Sequence, residues 1–351
     1  MKVAIITPHL PPVVGGISTF TREILVALAD RRVDCWGFSR QGANGSRWEV
    51  MEGGAGQFIW RVFLAVWRMQ PDAVHAHAHW YTLLPGAIYR ALRPSTRLVF
   101  TFHTQPVERS GLLFAAVRML LLLCTAITYV SRELQIRIRP LHDCKQLVTY
   151  PAPEPQILER NEGLAAHCTA DPRDRTIVFV GPLVWPLKVE GVRRLVEAFS
   201  RIADRHPQTV LVIVGDGPLR PSLEVYARHL LGSRVVFTGN VENVAPRITA
   251  CDVYAHISLQ EGVPISLLNA LALGKTVLAT SVGGIPEVVR DCETGLLVEP
   301  EVGAIAMALN RLLSDTDLRT RLGNAAANCV RATFTWERTV DQLVGCYRGR
   351  A

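Results

Sequence analysis

One stretch constrains this 351-residue chain more than any other: Cys251 to Val289, CDVYAHISLQEGVPISLLNALALGKTVLATSVGGIPEVV. Val253 to Ile257 is a continuous apolar run, the pattern of a strand buried on both faces. A turn at Gln260-Glu261-Gly262 follows. Pro264 then opens Ile265 to Leu273, a run of good helix formers that Gly274 follows. Thr276 to Thr280 is a second apolar strand, and Ser281-Val282-Gly283-Gly284 is the loop beyond it. A strand–helix–strand unit of this kind belongs to a parallel sheet covered by helices, an α/β architecture. Its sharpest chemical feature is Glu261, a carboxylate held just before a helix N-terminus whose backbone N–H groups favour anions. That pairing suits a ligand carrying both hydroxyls and phosphates.

The length exceeds one ordinary core and implies two domains. Eight cysteines (35, 124, 144, 168, 251, 292, 329, 346) include no CxxC pair, so buried reduced thiols and a cytoplasmic setting are expected. The opening MKVAIITPHL reads as a strand and turn rather than a secretory signal. Charge is divided unevenly. Residues 1–150 carry 17 basic and 9 acidic side chains, a net of +8, whereas residues 151–351 carry 21 and 22, a net of −1. The first half is therefore expected to meet something acidic, an anionic membrane surface or a phosphate-bearing substrate, or else to present an arginine-rich solvated surface. No nucleic-acid partner is expected.

Taken in order, Lys2 to Thr7 forms a strand, and Gly15-Gly16 opens a helix from Ile17 to Asp30 with Ser18 or Thr19 as cap. Paired glycines there let a ligand approach the backbone, but this is no GxGxxG fingerprint and no nicotinamide cofactor follows. Residues 42–57 read as a mobile glycine-rich loop, followed by helix 57–69 and strand Asp72 to His77. His75, His77 and His79 alternate, a spacing that in a strand could hold zinc. A strand running into a loop accounts for it as well, and no metal site is expected. Strand Arg97 to Phe102 delivers His103 at its carboxyl end, where open α/β sheets bind ligands. Gly111 to Val130 has the length of a membrane span but divides into helix Leu112–Leu123 and strand Thr125–Val130. That helix, with Arg109 and Arg118, could rest on lipid headgroups or be buried core. The proline-rich stretch 151–174 reads as a linker. A second array then runs from strand Thr176–Val180, with Lys188 preceding a helix Gly191–His206, through to a last helix from Thr335 to Arg348. Only four lysines occur in the chain, so Lys188 in a strand-to-helix loop stands out as a point charge suited to phosphate.

The chain resembles the retaining glycosyltransferases of family 4. The resemblance is carried by PPVVGGI, HAHAHW, TFHT, the loop from Gly181 to Lys188, VGDGP, VVFTGNV, EGVPISLLNALALGK, SVGGIPEVV and GLLV, in this order. It implies a GT-B architecture of two Rossmann-like domains facing across a cleft: an acceptor-side domain over 1–150, the linker 151–174, a nucleotide-sugar domain over 175–334, and a final helix, 335–351, that packs back on the first domain. It implies a nucleoside-diphosphate sugar as donor and a polysaccharide, lipid-linked or other glycan as acceptor, on the cytoplasmic face of a membrane. Hexosyl transfer would need no metal. By the same resemblance Gly15 and Gly16 approach the donor, and His103 lies beside the transferred sugar. Lys188 takes the diphosphate, Val241 meets the base, and Glu261, Gly262, Val263, Pro264 and Ile265 line the sugar and diphosphate. His103, Lys188 and Glu261 are the catalytic candidates.

Two departures from the family pattern stand out. The second acid of the Glu-(seven residues)-Glu motif, which accepts hydrogen bonds from ribose hydroxyls, is Asn269. The arginine following Gly181 is Pro182, which leaves Lys188, or a compensating residue such as Arg193, as the diphosphate cation. They favour a second reading, a catalytically impaired binding protein, and a nucleotide-sugar epimerase, which shares the two-domain architecture, is a third.

Overall fold

The computed structural model describes residues 1–104, 111–138, 142–159 and 175–349. The chain separates into two compact units, Met1–Pro151 with Thr335–Ala351, and Ala152–Phe334. Each is built on one wholly parallel sheet, so both are Rossmann-like α/β domains.

In the first unit the strands are β1 (Lys2–His9), β2 (Asp34–Gln41), β3 (Trp48–Val50), β4 (Ala73–His77), β5 (Arg97–Phe102), β6 (Ala126–Tyr129) and β7 (Lys145–Val148). Their order across the sheet is β3-β2-β1-β4-β5-β6-β7. The helices between them are α1 (Gly16–Asp30), α2 (Ala55–Met69), α3 (Trp80–Leu92), α4 (Leu112–Leu121) and α5 (Arg132–Arg137). Ser131 caps α5 by accepting from the Leu134 N–H. Val3, Ile5, Ile6, Val74, Leu98, Val99 and Phe100 are fully or almost fully buried, the continuous apolar pattern that parallel strands need.

The second unit contains α6 (Pro155–Glu159), β8 (Arg175–Val180), α7 (Pro186–Ser200), β9 (Thr209–Val214), α8 (Arg220–Leu231), β10 (Val235–Gly239) and α9 (Ala245–Ala250). It continues with β11 (Val253–His256), α10 (Ile265–Ala272), β12 (Thr276–Thr280), β13 (Leu296–Val298), α11 (Val302–Ser314) and α12 (Thr316–Thr333). The strand order is β10-β9-β8-β11-β12-β13. Ile177, Phe179, Leu195, Phe199, Leu211, Ile213, Leu278 and Leu309 form the heart of its core.

The last helix, α13 (Trp336–Arg348), belongs to the first unit. Thr339 donates its hydroxyl to the Tyr150 carbonyl at 2.6 Å, and Tyr347 meets His75 Nδ1 at 2.7 Å. Arg31 bonds both Asp341 and the Glu337 carbonyl, each at 3.0 Å, and Trp336 packs edge-on against Phe20.

Several local expectations need correction. Helix α1 starts at Gly16 with Gly15 as its cap residue and no side-chain cap, and Ser18 is buried within it. Residues 42–57 are not one loop: Trp48–Val50 pairs with β2, fixed by Trp48 Nε1 donating to Ala43 O and by Asn44 Oδ1 accepting from Val50 N. Helix α7 begins five residues before Gly191, because Pro186 at its start already has the helical φ. Lys188 is thus inside the first turn rather than ahead of the helix. Strand β4 ends at His77, and Ala78 turns away with φ of +70°, so His79 leaves the face shared by His75 and His77. Arg109 and linker residues 160–174 lie outside the described residues.

Candidate functional site

In the second unit the chain lays β8, β9 and β10 outward in one direction, then returns to place β11, β12 and β13 in the other. Open α/β sheets bind ligands outside the carboxyl ends of the strands at such a reversal. Lys188 lies in α7, which follows β8, and Glu261 lies in the loop after β11. The two meet there: Lys188 Nζ is 2.8 Å from Glu261 Oε1. His256, the last residue of β11, reaches the same oxygen with Nε2 at 3.1 Å. Its Nδ1 is buried without a partner. A buried lone pair without a donor is tolerated better than an orphaned N–H, which places the proton on Nε2 and makes His256 the donor.

Burial alone would push the Glu261 carboxyl upward. Lys188 and the His256 hydrogen bond override it and hold the group at about 2. Burial keeps His256 below its ordinary value against the pull of Glu261, with Lys188 adding to the lowering. At neutral pH Glu261 is therefore a carboxylate and His256 a neutral imidazole.

The loop after β12 holds Glu261 in place. Gly283 has φ of +55°, and a Cβ there would lie 1.9 Å from the Glu261 carbonyl oxygen. The next residue, Gly284, donates its N–H to Gly262 O at 3.0 Å. Beyond Glu261, α10 starts at Ile265 with Pro264 as its cap residue and no side-chain cap. Val263 and Ile265 bury their side chains, so what this turn can offer a ligand is its backbone N–H groups. Val241 lies in the loop after β10, partly exposed.

Asn269 already has hydrogen-bond partners within the protein. It is buried in α10, with Oδ1 accepting from the Glu154 N–H at 2.9 Å and Nδ2 donating to Glu154 Oε1 at 2.9 Å. Both ends of the amide are spent on one residue, which brings a carboxylate to α10 from a distant part of the chain. Arg193 stands with its guanidinium 4.4 Å from the ring centroid of Tyr226 in α8 and 3.9 Å from Glu190 on its own helix.

The first unit has its own reversal, between β1 and β4. Gly15 and Gly16 follow β1, and a Cβ on either would meet nothing within 4 Å. Internal packing does not demand these glycines, and the space in front of them is open. His103 directly follows β5, with Nε2 3.0 Å from His77 Nδ1, and Phe20 packs edge-on against its ring. His77 Nε2 is buried without a partner. The reasoning applied to His256 puts the His77 proton on Nδ1, donated to His103, and the His103 proton on Nδ1. Burial lowers both rings, His103 to about 3 and His77 well below its ordinary value. His75 lies tilted against His77 with centroids 4.1 Å apart and is fixed by Tyr347 and Thr101. These histidines form a neutral, hydrogen-bonded array. Among the described residues no group of three His, Cys, Asp or Glu side chains is arranged to hold a metal ion.

Sequence reasoning missed His256, Tyr347 and Glu154, and singled out His77 only for its metal-like spacing. His256 could have been found by the rule that found His103, since it too ends a buried strand.

Two Rossmann-like domains, each gathering polar groups at the reversal of its sheet, define the GT-B class of architecture. Residues 174–315 match the family model for glycosyl transferases group 1, and residues 14–150 match that for glycosyltransferase family 4. The chain belongs to this glycosyltransferase family. It is 33% identical over 162 residues to N-acetyl-alpha-D-glucosaminyl L-malate synthase of Bacillus anthracis, a match taking in 46% of this chain and 42% of that enzyme. The matched segment thus spans less than half the length of that relative. With alpha-maltose-1-phosphate synthase of Mycolicibacterium smegmatis it shares 28% identity over 99% of both chains. Its fold is similar to that of sucrose-phosphate synthase from Thermosynechococcus elongatus (TM-score 0.79, 22% identity, 99% of this chain and 98% of that one). It is also similar to Anabaena HepE in complex with UDP and glucose (TM-score 0.80, 20% identity, all of both chains).

Two outcomes follow from the Glu261 cluster. A carboxyl held at about 2 instead of 4.5 contributes stability that is fully present above pH 4.5 and is lost as pH falls toward 2. Linkage puts that contribution at about 3 kcal/mol. Urea midpoints of the wild type should therefore fall more steeply between pH 5 and 2.5 than those of Glu261→Gln; parallel curves would show that the carboxyl is not held low. Gly283→Ala should displace the Glu261 loop and lower the unfolding free energy by about 2 kcal/mol or more, and a wild-type melting curve for that variant would contradict the close approach.

Proposed function

We propose that this protein transfers a hexosyl group from a nucleoside-diphosphate sugar to a hydroxyl of a glycan or lipid-linked acceptor, with retention of anomeric configuration and without a metal ion. The observation that carries the reading is the Lys188–Glu261–His256 cluster at the reversal of the second sheet. Solved relatives of the same fold support the donor class: HepE is described in complex with UDP-glucose, and an Escherichia coli trehalose-6-phosphate protein with UDP-2-fluoro glucose.

In this reading the second unit holds the donor. Lys188 has three N–H donors, enough to keep Glu261 and also meet a diphosphate oxygen. Its fixed charge and the N–H groups opening α10 stabilise the leaving diphosphate, which is the work a metal does elsewhere. Glu261 accepts from two donors and is held at about 2, so it is a weak nucleophile that orients sugar hydroxyls rather than attacking the anomeric carbon. With no attacking side chain, the acceptor enters on the face from which the diphosphate leaves, and a diphosphate oxygen takes its proton. His103, neutral and donating through Nδ1, orients a hydroxyl in the first unit.

The first unit also has the surface for peripheral contact with an anionic cytoplasmic membrane. Along α2, Trp60, Phe63 and Trp67 form a ladder with centroids about 6 Å apart, and Trp60 is 60% and Trp67 39% exposed. Arg61 and Arg68 are exposed beside them, and the Arg93 guanidinium lies 5.3 Å from the Trp67 ring centroid. Aromatic rings with flanking arginines suit the headgroup boundary. No described helix is long and apolar enough to cross a membrane.

Lys188→Ala should abolish transfer and weaken UDP binding by about tenfold or more in calorimetry, while wild-type turnover survives EDTA. Undiminished turnover in the variant sinks the assignment. UDP binding without transfer to any acceptor would favour an impaired binding protein, the reading that Pro182 and Asn269 favour. Trp60→Ser with Trp67→Ser should reduce co-sedimentation with vesicles containing anionic lipid severalfold, and equal sedimentation would remove the membrane contact.

A further inference from the structure

The reversal of the first sheet holds a second cluster that the donor chemistry does not use. Arg40 lies near the carboxyl end of β2, His9 ends β1, His79 lies two residues beyond β4, and Tyr81 is in the first turn of α3. These strands are neighbours in the sheet, in the order β2-β1-β4. Tyr81 braces the group: the His79 ring stacks on it at 5.1 Å and 10°, and the Arg40 guanidinium carbon lies 5.5 Å from its centroid. Arg40 Nε donates to Gly53 O at 3.1 Å, which fixes the plane of the fork.

Arg40 forms no ion pair with any described carboxylate, although it is half-buried. Glu52, beside Gly53 in sequence, is exposed and does not reach it. The groups that face Arg40 are instead uncharged. Burial is the largest influence on both His9 and His79 and lowers them, with Arg40 adding to the lowering. His9 Nδ1 is buried without a hydrogen-bond partner. A half-buried guanidinium with neutral imidazoles nearby suits an oxyanion: the fork matches a phosphate or carboxylate in two bonds, and imidazoles can serve neighbouring hydroxyls.

We propose that Arg40, His9 and His79, braced by Tyr81, form an acceptor subsite for a sugar bearing an oxyanion, a phosphate or a uronate carboxylate. This rests on the reading of the first unit as the acceptor side. It extends that reading by making the acceptor charged, and it gives the +8 balance of residues 1–150 a local use. The site selects by charge before any bond is made to the sugar ring.

Calorimetry on the full chain tests this with glucose 6-phosphate, glucuronate, inorganic phosphate and glucose as probes, and with UDP titrated into the same samples. The wild type should bind at least one of the anionic sugars, bind glucose no better than about a tenth as well, and lose affinity as salt is raised. Whether the phosphate or the uronate binds tighter identifies the acceptor's anion. Arg40→Gln should weaken the anionic sugar about tenfold or more and leave UDP affinity unchanged. Should the glutamine variant misfold, Arg40→Lys, which keeps charge but removes the fork, should still weaken binding severalfold. Binding that is unchanged in the folded Arg40 variant, or absent from the wild type, overturns the proposal. If the anionic sugars bind and UDP does not, the subsite stands and the transfer reading falls.

Discussion

The ion pair between Lys188 and Glu261 depends on backbone more than on either side chain. Glu261 stands where it does because Gly283 lets the loop after β12 press against its carbonyl, and because the next glycine bonds the residue beyond it. Lys188 stands opposite because Pro186 starts α7 early enough to bring it into the first turn. Parallel strands end side by side, so two loops far apart in sequence open onto one point. A carboxylate and an ammonium fixed at that point cost little further ordering when a ligand arrives, and preorganisation of this kind is what catalysis by electrostatics needs.

The first unit solves a different problem. His75, His77 and His103 are buried so deeply that they stay neutral at neutral pH, and they are oriented by neighbours: His103 by His77, and His75 by Tyr347 and Thr101. Because Tyr347 comes from α13, the geometry of the array depends on the last helix of the chain being seated in this unit. A neutral imidazole whose tautomer is fixed can direct a hydrogen bond without adding charge to its surroundings. Charge is thus kept in separate places: Lys188 in the second unit, Arg40 in the first.

Much of the second sheet was legible in the sequence, since strands buried on both faces are written as unbroken apolar runs: VLVIV, VYAHI and TVLAT name themselves. The first sheet was less so. Strand β2 reads DCWGFSRQ, in which glycine and polar residues mask the pattern, and α3 carries Pro85 and Gly86 in mid-helix. Both are held by packing that no local window contains. The candidate site divides in the same way. Glu261 and His103 could be placed because loops after buried strands are where ligands go. The bond from His77 to His103 joins residues 26 positions apart, and that from Glu154 to Asn269 spans 115, so neither leaves a mark in the local sequence.

The Asn269 amide is held to Glu154 by two hydrogen bonds inside the second unit, one to its carboxylate and one from its backbone N–H. An acid at 269, as the family pattern has it, would set two carboxylates side by side and remove the amide hydrogens that Glu154 uses. The two positions are therefore epistatic. Replacing Asn269 alone with an acid costs more than the same change would beside a neutral residue at 154, whereas replacing Glu154 alone leaves the asparagine its bond to the backbone N–H.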